Sequence, residues 1–524
     1  MPRHATAGGE AESSWAGDAA WTGTGPCSNA EAVSRSLVNS IRLNDATAHD
    51  DEGVPVSTRS TPSRTPAVVD APSPEHSGSG RAARASVSRR ELGSWNSTTR
   101  GHDPLQTILA QSDIRAPDLL PIRHGRMSHS PWTYYRGAAA VMAADLASTA
   151  NTGIMVQMCG DAHILNYGLW TSPERNLLFD LRDFDETLPG PFEWDLKRFL
   201  ASVVVLARDN GVTEKRARES VRAGYRSYRK HMKAYATMPQ IDVWYDKIDV
   251  DQLVEYATTD NEGKMDALIE KRAKKRTGRV ASKKLTTLVD GHRVITEDPP
   301  YRVHRLGDAA DQILHDVMRK YYDSIPDHLD NLLTRYDVVD AVRQVVGVGS
   351  VGMRVFLTLL EERRSGDPLL LQIKQAGPSV YEQFLGKSRY ENHGSRVVHG
   401  QRMIQSATDM FVGWTSFQDA NLNLDLDFYV RQFRDGKVIP KGEVVALSLA
   451  QFAAACGNVL ARAHARSGDA AAIADYLGGG SKVEEAMVTF ASAYADQNTT
   501  DHAQLAKAVA DGSIPSERGW PDIP

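Results

Sequence analysis

Asp161, Asn166 and Asp183 have the residue types and spacing of an acid–base group followed by two metal ligands. Asp161 and Asn166 lie in Gly160-Asp161-Ala162-His163-Ile164-Leu165-Asn166, after the apolar run Ile154-Met155-Val156-Gln157-Met158. Asp183 opens Asp183-Phe184-Asp185, seventeen positions past Asn166 and after a second apolar run, Leu177-Leu178-Phe179. Transfer of a phosphoryl group from ATP needs this mixture. One Asp faces the acceptor hydroxyl, an Asn five residues on holds a metal, and a second Asp after a short hairpin holds the metal bridging the phosphates. Carboxylates cannot approach an anionic triphosphate unless Mg²⁺ lies between them, and hard oxygen ligands suit Mg²⁺. Asp161 is therefore expected to orient and deprotonate the acceptor, with Asn166 and Asp183 on the metal and Asp185 as a further metal carboxylate. His163 is the second catalytic candidate, near the γ-phosphate. Hydrogen bonding to loop carbonyls or to Asp183 explains His163 equally well, and no second His lies at metal-ligand spacing. The Asp at the third position, where a flexible Gly is common, argues against an in/out flip of this segment.

The groups that would hold the nucleotide come much later. Val345-Val346-Gly347-Val348-Gly349-Ser350-Val351-Gly352 contains a GxGxxG, a weak signal alone because dinucleotide-binding folds share it. A dinucleotide-binding turn must open a helix. Here Met353 to Leu360 is largely apolar with β-branched Val355 and Thr358, Glu361 to Pro368 reads as a turn, and Leu369 to Lys374 reads as a second strand. Strand, glycine loop, strand, turn and a strand ending in Lys is the layout of a kinase nucleotide-binding lobe. Gly347, Gly349, Ser350 and Gly352 would close over the phosphates, and Lys374 would pair with phosphate oxygens. Glu382 is the candidate carboxylate to orient Lys374, with Glu391 competing and a surface role equally open.

Ordinary kinases place the glycine loop and Lys before the catalytic Asp, and this chain reverses them. The expected fold is therefore α+β, a two-lobed protein-kinase-like fold that is circularly permuted, since an interlobe site can be built in either chain order. The expected division is a disordered tail over 1–100, a catalytic segment over 101–336, a nucleotide-binding lobe over 337–440 and a helical return over 441–524.

Further segments carry a family resemblance. They are Arg123-His124-Gly125-Arg126-Met127, Tyr135-Arg136-Gly137, Cys159-Gly160-Asp161-Ala162-His163, Asp183-Phe184-Asp185-Glu186-Thr187, Trp194-Asp195-Leu196-Lys197-Arg198, the glycine loop, Gly400-Gln401-Arg402, Val430-Arg431-Gln432 and Ala463-His464-Ala465-Arg466. From about Leu105 to Asp501 the chain resembles the bacterial family catalogued as domain of unknown function 2252. The resemblance implies a kinase-like fold related to aminoglycoside phosphotransferases. Tyr167 and Trp132 stand where Phe is usual, which puts no polar role in doubt.

Composition bounds the alternatives. The 524 residues are 41% hydrophobic, enough for a large core. A net charge of −5 gives no global argument for nucleic acid. Cys27, Cys159 and Cys456 are too few and too scattered for a disulfide framework or a zinc site, and a reducing cytoplasm fits. No apolar run reaches the roughly 20 residues of a membrane span. Residues 1–100 are rich in Ser, Thr, Ala, Gly and Pro, as disordered segments are. Glu10, Glu12 and Asp18 argue against a transit peptide.

The positioning elements follow from periodicity. Helices are expected at Trp132–Ala147, Trp194–Asn210, Phe452–Ala465 and Glu484–Tyr494, and mostly helix over 215–335. Asp195 is either a helix-start carboxylate or a brace for the catalytic loop. The basic run Lys271–Arg276 is a solvated face or a landing site for an anion. Arg123, Arg126 and Arg136 suit forked contacts to phosphate or carboxylate; pairing with the acids of the Asp183 segment is favoured over binding nucleotide or acceptor. The expected activity is transfer to a hydroxyl of a small-molecule acceptor, with no nucleic-acid or membrane partner. Nucleotidyl transfer of AMP and a nucleotide-binding regulator without turnover are the alternatives.

Overall fold

The computed structural model describes residues 68–69, 80–256, 278–304, 310–345, 347–419, 424–433, 438 and 440–517. The fold is α+β. The basic run Lys271–Arg276 lies outside the described residues, as does most of the stretch read as a disordered tail. Part of that stretch, from Gly80 onward, is ordered. Helix α1, Gly80–Ser86, is regular structure, and Leu92 beyond it is 1% exposed and part of the main core.

Helix α2 spans Leu120–Met127 and α3 spans Pro131–Gly137. Ser130 caps α3 through a reciprocal bond with Thr133, and Pro131 pre-sets the first turn. Helix α4, Ala139–Ala147, follows after a break at Ala138. The single helix expected over 132–147 is thus two, and the bend re-aims the end of α3.

Strand β1, Met155–Met158, leads to Asp161. Strands β2, Tyr167–Thr171, and β3, Leu177–Leu181, form the hairpin between Asn166 and Asp183. Strand β4, Leu188–Pro191, returns antiparallel to β1. These pairings bring the two acidic motifs together at one end of short strands.

Helix α5, Phe192–Asp209, is amphipathic by sequence but buried nearly all round: Leu196, Phe199, Leu200 and Val203 are each 0% exposed. It stops at Asn210 and Gly211, the latter at φ 67°. Helix α6 spans Glu214–Tyr235. The region to 335 is not wholly helical. A hairpin pairs Thr286–Val289 with His292–Ile295, and strand β5, Arg302–Val303, joins a sheet.

Helix α7, Ala310–Tyr322, precedes the sheet's main strands: β6, Tyr336–Gln344; β7, Val355–Glu362; and β8, Pro368–Ala376. Helix α8, His393–Ile404, follows, then β9, Gly413–Asp419, and β10, Leu424–Gln432. The sheet order is β9-β10-β8-β7-β6-β5, antiparallel throughout. β8 is central, and its residues from Leu369 to Ala376 are buried, as a strand covered on both faces must be. Helices α9, Leu449–Ser467, and α10, Lys482–Ala510, pack with α5 and α6 into the main core. No described helix is long and apolar enough to cross a membrane.

The start of α8 yields a pH prediction. Burial, with Arg396 and Lys387 adding to it, pushes the His393 imidazole from 6.5 down to about 4. A folded pKa below the unfolded one means stability present above 6.5 and lost as pH falls toward 4. His393→Gln is expected to remove about 2–3 kcal/mol of the stability difference between pH 7 and pH 4.5. Urea unfolding at the two pH values measures it. An unchanged acid sensitivity would show that His393 does not titrate this way.

Candidate active site

β1 enters the catalytic-type loop through Gly160, at φ +83°. A Cβ there would lie 2.3 Å from the Glu186 carbonyl oxygen, so the Asp161 loop and the Asp183 segment touch backbone to backbone. Asp195, in the first turn of α5, accepts the Cys159 N–H at 2.7 Å and the Gly160 N–H at 2.9 Å. This is the brace, and not a simple cap of its own helix. Ser202, two turns on, accepts the Ile164 N–H at 2.8 Å, and the Tyr381 hydroxyl donates to the Gly160 carbonyl at 2.7 Å.

Asp161 is held by Arg198, whose Nε and Nη2 reach Oδ1 at 2.6 and 2.5 Å. Burial pushes the Asp161 carboxyl above the ordinary aspartate range; Arg198 opposes the shift and Asp183 adds to it. A carboxylate biased upward in this way is a better proton acceptor near neutral pH. His163 stands 3.9 Å from Asp161 Oδ2, against the edge of Trp132 with ring centres 5.6 Å apart. Burial, then the fields of Arg136 and Arg198, hold its pKa well below the imidazole range, so the ring is neutral.

Asn166 donates through Nδ2 to the Asp161 carbonyl at 2.6 Å, which turns its amide oxygen away from that carbonyl. The β2–β3 hairpin then delivers Asp183, whose side chain is 38% exposed and 3.8 Å from Lys374 Nζ. The Asp183 carbonyl accepts from the Cys159 thiol at 3.2 Å. Burial pushes that thiol well up, so Cys159 is inert packing, as its position suggests. Among the described residues no three His, Cys, Asp or Glu side chains form a ready metal cage. Mg²⁺ bound with a nucleotide needs only one or two protein oxygens beside the phosphates. The part-exposed Asp183 and the Asn166 amide oxygen fit that requirement.

Lys374, on β8 and 3% exposed, lies against the same segment. Its ammonium contacts Asp185 Oδ2 directly. Burial pulls its pKa down, but Asp185, Tyr429 and Asp183 outweigh burial and hold it above lysine's ordinary range. One expectation is corrected here. Glu382 is not the partner of Lys374: its carboxylate accepts the Ser379 N–H at 3.2 Å and lies 3.7 Å from Arg396. Asp185, expected on the metal, has its carboxylate engaged by Lys374, by the Tyr429 hydroxyl at 2.8 Å and by Ser350 Oγ at 3.3 Å. The inward residue of α8 is a cation, Arg396, which donates to the backbone carbonyls of Asp185, Thr187 and Gly377 at 2.7, 2.7 and 2.8 Å.

The glycine loop leads into strand β7 through a short 3-10 turn, Val348–Ser350, and opens no α-helix. Arg115 anchors it, donating to the Val351 carbonyl at 2.5 Å, while the Ala116 N–H donates to the Gly352 carbonyl at 2.7 Å. At Gly352, φ +93°, a Cβ would lie 2.9 Å from Arg115. Arg123, read as a partner of acids, instead donates to Gln111 Oε1 at 2.6 Å and the Gly137 carbonyl at 3.3 Å. Arg136 lies under the loop, its Nη2 3.9 Å from the Cβ position of Gly347.

The residues missed by sequence reasoning are Arg115, Arg198, Tyr381, Arg396 and Tyr429. A signal existed for Arg198: it lies three residues after Asp195 on one helix, so both point toward the same loop.

A family described as "Uncharacterized protein conserved in bacteria (DUF2252)" matches residues 115–508, and the chain belongs to that family. No curated protein and no solved structure matches the chain.

Proposed function

We propose that the protein is an ATP- and Mg²⁺-dependent phosphotransferase acting on a hydroxyl of a small molecule, built on a permuted kinase-like arrangement. The observation that carries this reading is the meeting of Lys374 with Asp183 and Asp185. Two motifs nearly two hundred residues apart, each matching half of a phosphoryl-transfer site, converge on one spot. The glycine loop between β6 and β7, the Lys on β8 and the helix α8 after it support the same reading.

In the proposed reaction Asp161 orients the acceptor hydroxyl and takes its proton as the oxygen bonds to the γ-phosphorus. The bond from that phosphorus to the bridging oxygen breaks, and ADP leaves with the electron pair. Arg198 fixes the Asp161 carboxylate, and Asp195 fixes the loop backbone that carries it. Lys374 exchanges Asp185 for phosphate oxygens. Asp183 and Asn166 would hold Mg²⁺, which would supply charge neutralisation on the phosphates. Neutral His163 shields the site beside Asp161.

ATP is expected to raise the melting temperature clearly with Mg²⁺ and only modestly without it, because a ligand of the native state stabilises by mass action. Lys374→Ala should shrink that ligand-induced rise. Incubation with γ-labelled and α-labelled ATP and a metabolite extract then separates the reactions. γ-label in a product supports phosphoryl transfer, and α-label means nucleotidyl transfer. No thermal shift at millimolar ATP with Mg²⁺ would overturn the proposal.

A further inference from the structure

A cavity of about 1230 Å³ adjoins the Asp161 loop. Leu165 of that loop lines it, with Trp132 and Arg136 of α3, Arg126 of α2, and Lys441. Small-molecule sites run to roughly 300–1,000 Å³, so the space suits a metabolite and its water and is too small for a folded partner. Trp132 joins the cavity wall to the catalytic loop, since its ring packs on His163.

Arg136 is the telling residue. Its Nε is buried and finds no hydrogen-bond acceptor among the described residues. A buried N–H left without an acceptor is costly, and a ligand anion would relieve that cost. The nearby carboxylates do not remove the need. Asp161 is already bonded through two nitrogens of Arg198, and Asp183 is the proposed metal ligand. With metal on Asp183, Arg136 would remain a cation of the cavity wall open to an anion. The acids in the cavity wall are Asp209, Glu443 and Glu517, and Glu443 lies 3.7 Å from Lys441. Lys441 thus has a carboxylate beside it, whereas Arg136 lies in the fields of Asp161 and Asp183 with no ion-pair contact among the described residues.

We propose that this cavity is the acceptor site and that its substrate is a small hydroxylated molecule carrying a phosphate or carboxylate, held by Arg136 while its hydroxyl reaches Asp161. The inference rests on the phosphotransferase reading and narrows its substrate class. A planar fork of N–H donors matches both anions, and Trp132 offers an apolar wall for the carbon skeleton.

The test uses three probes of one carbon skeleton: glycerol, glycerate and glycerol 3-phosphate. Each is titrated into the full-length protein with Mg²⁺ and a non-hydrolysable ATP analogue, and the melting temperature is read. Glycerate or glycerol 3-phosphate should raise it and glycerol should not; which anion does so distinguishes carboxylate from phosphate recognition. Arg136→Met should weaken the effective anion about 10-fold or more, and Arg136→Lys less, while the shift due to the analogue alone persists. Equal response to all three probes, or to none, overturns the inference even if Arg136→Met fails to fold. Loss of the analogue's shift in Arg136→Met, with no response to the probes, would assign Arg136 to the nucleotide and overturn it as well. Absence of any analogue shift in the unaltered protein would instead strike the phosphotransferase reading itself.

Discussion

Asp161→Asn is expected to lower phosphoryl transfer by about 10²–10⁴-fold while leaving the ATP-induced thermal shift in place. The carboxylate faces the acceptor side of the proposed site, and Lys374 and Asp183 face the nucleotide. The substitution has a second consequence, because Arg198 is 0% exposed and its charge is matched by Asp161. Asn still accepts one hydrogen bond but leaves the guanidinium uncompensated, so the melting temperature should also fall. Ligand-induced shifts, read relative to each variant's own baseline, separate the two effects. Asp183→Asn should behave differently and damage Mg²⁺-dependent binding and turnover together. Equal loss of nucleotide binding in both variants would show the two carboxylates to be misassigned. Full activity in Asp161→Asn would remove that residue from catalysis.

Asp195→Ala should cost about 3–5 kcal/mol of stability, since it leaves two buried N–H groups, those of Cys159 and Gly160, without their charged acceptor. His464 Nε2, 3.4 Å from Asp195, loses a neighbour in the same step. Asp195→Asn retains one acceptor oxygen and should fall between. Chemical denaturation gives the stability, and turnover per folded molecule reports whether the loop has lost its alignment. A loss below about 1 kcal/mol would mean that the loop backbone is held by its other contacts and not by this carboxylate.

The strands and the loop of the sheet were legible because apolar runs, turn residues and glycines are local signals. The strand character of Leu369–Lys374 and Met353–Leu360 can be read within a few residues, and the structure has strands there. The convergence of Asp161, Asn166 and Asp183 was legible for the same reason: one hairpin connects them. The partner of Lys374 was not. Proximity in sequence favours Glu382, but Asp185 is 189 positions away, and a pair that distant leaves no mark in either segment. The inward face of α8 carries Arg396 where an acid was sought, because the group to be held there is a set of backbone carbonyls. Such acceptors have no sequence signature. The break at Ala138 was equally hidden, since Ala-rich sequence propagates a helix by propensity and only tertiary packing interrupts it.

The segment from Gly160 to Thr187 is tied down by Lys374, Ser379, Val380, Tyr381, Arg396 and Tyr429. Every one of these anchors emerges from the ribosome long after the residues it secures. At roughly 5–20 residues per second, synthesis takes about 10–40 s to travel from Asp183 to Lys374. Through that interval the nascent acidic segment has none of these partners, and the strands that carry Lys374 and Tyr429 have yet to be made. Helices α9 and α10, which close the main core, come later still. The contacts that hold the Asp161 loop and the Asp183 segment are therefore completed late in synthesis, only after Tyr429 has emerged.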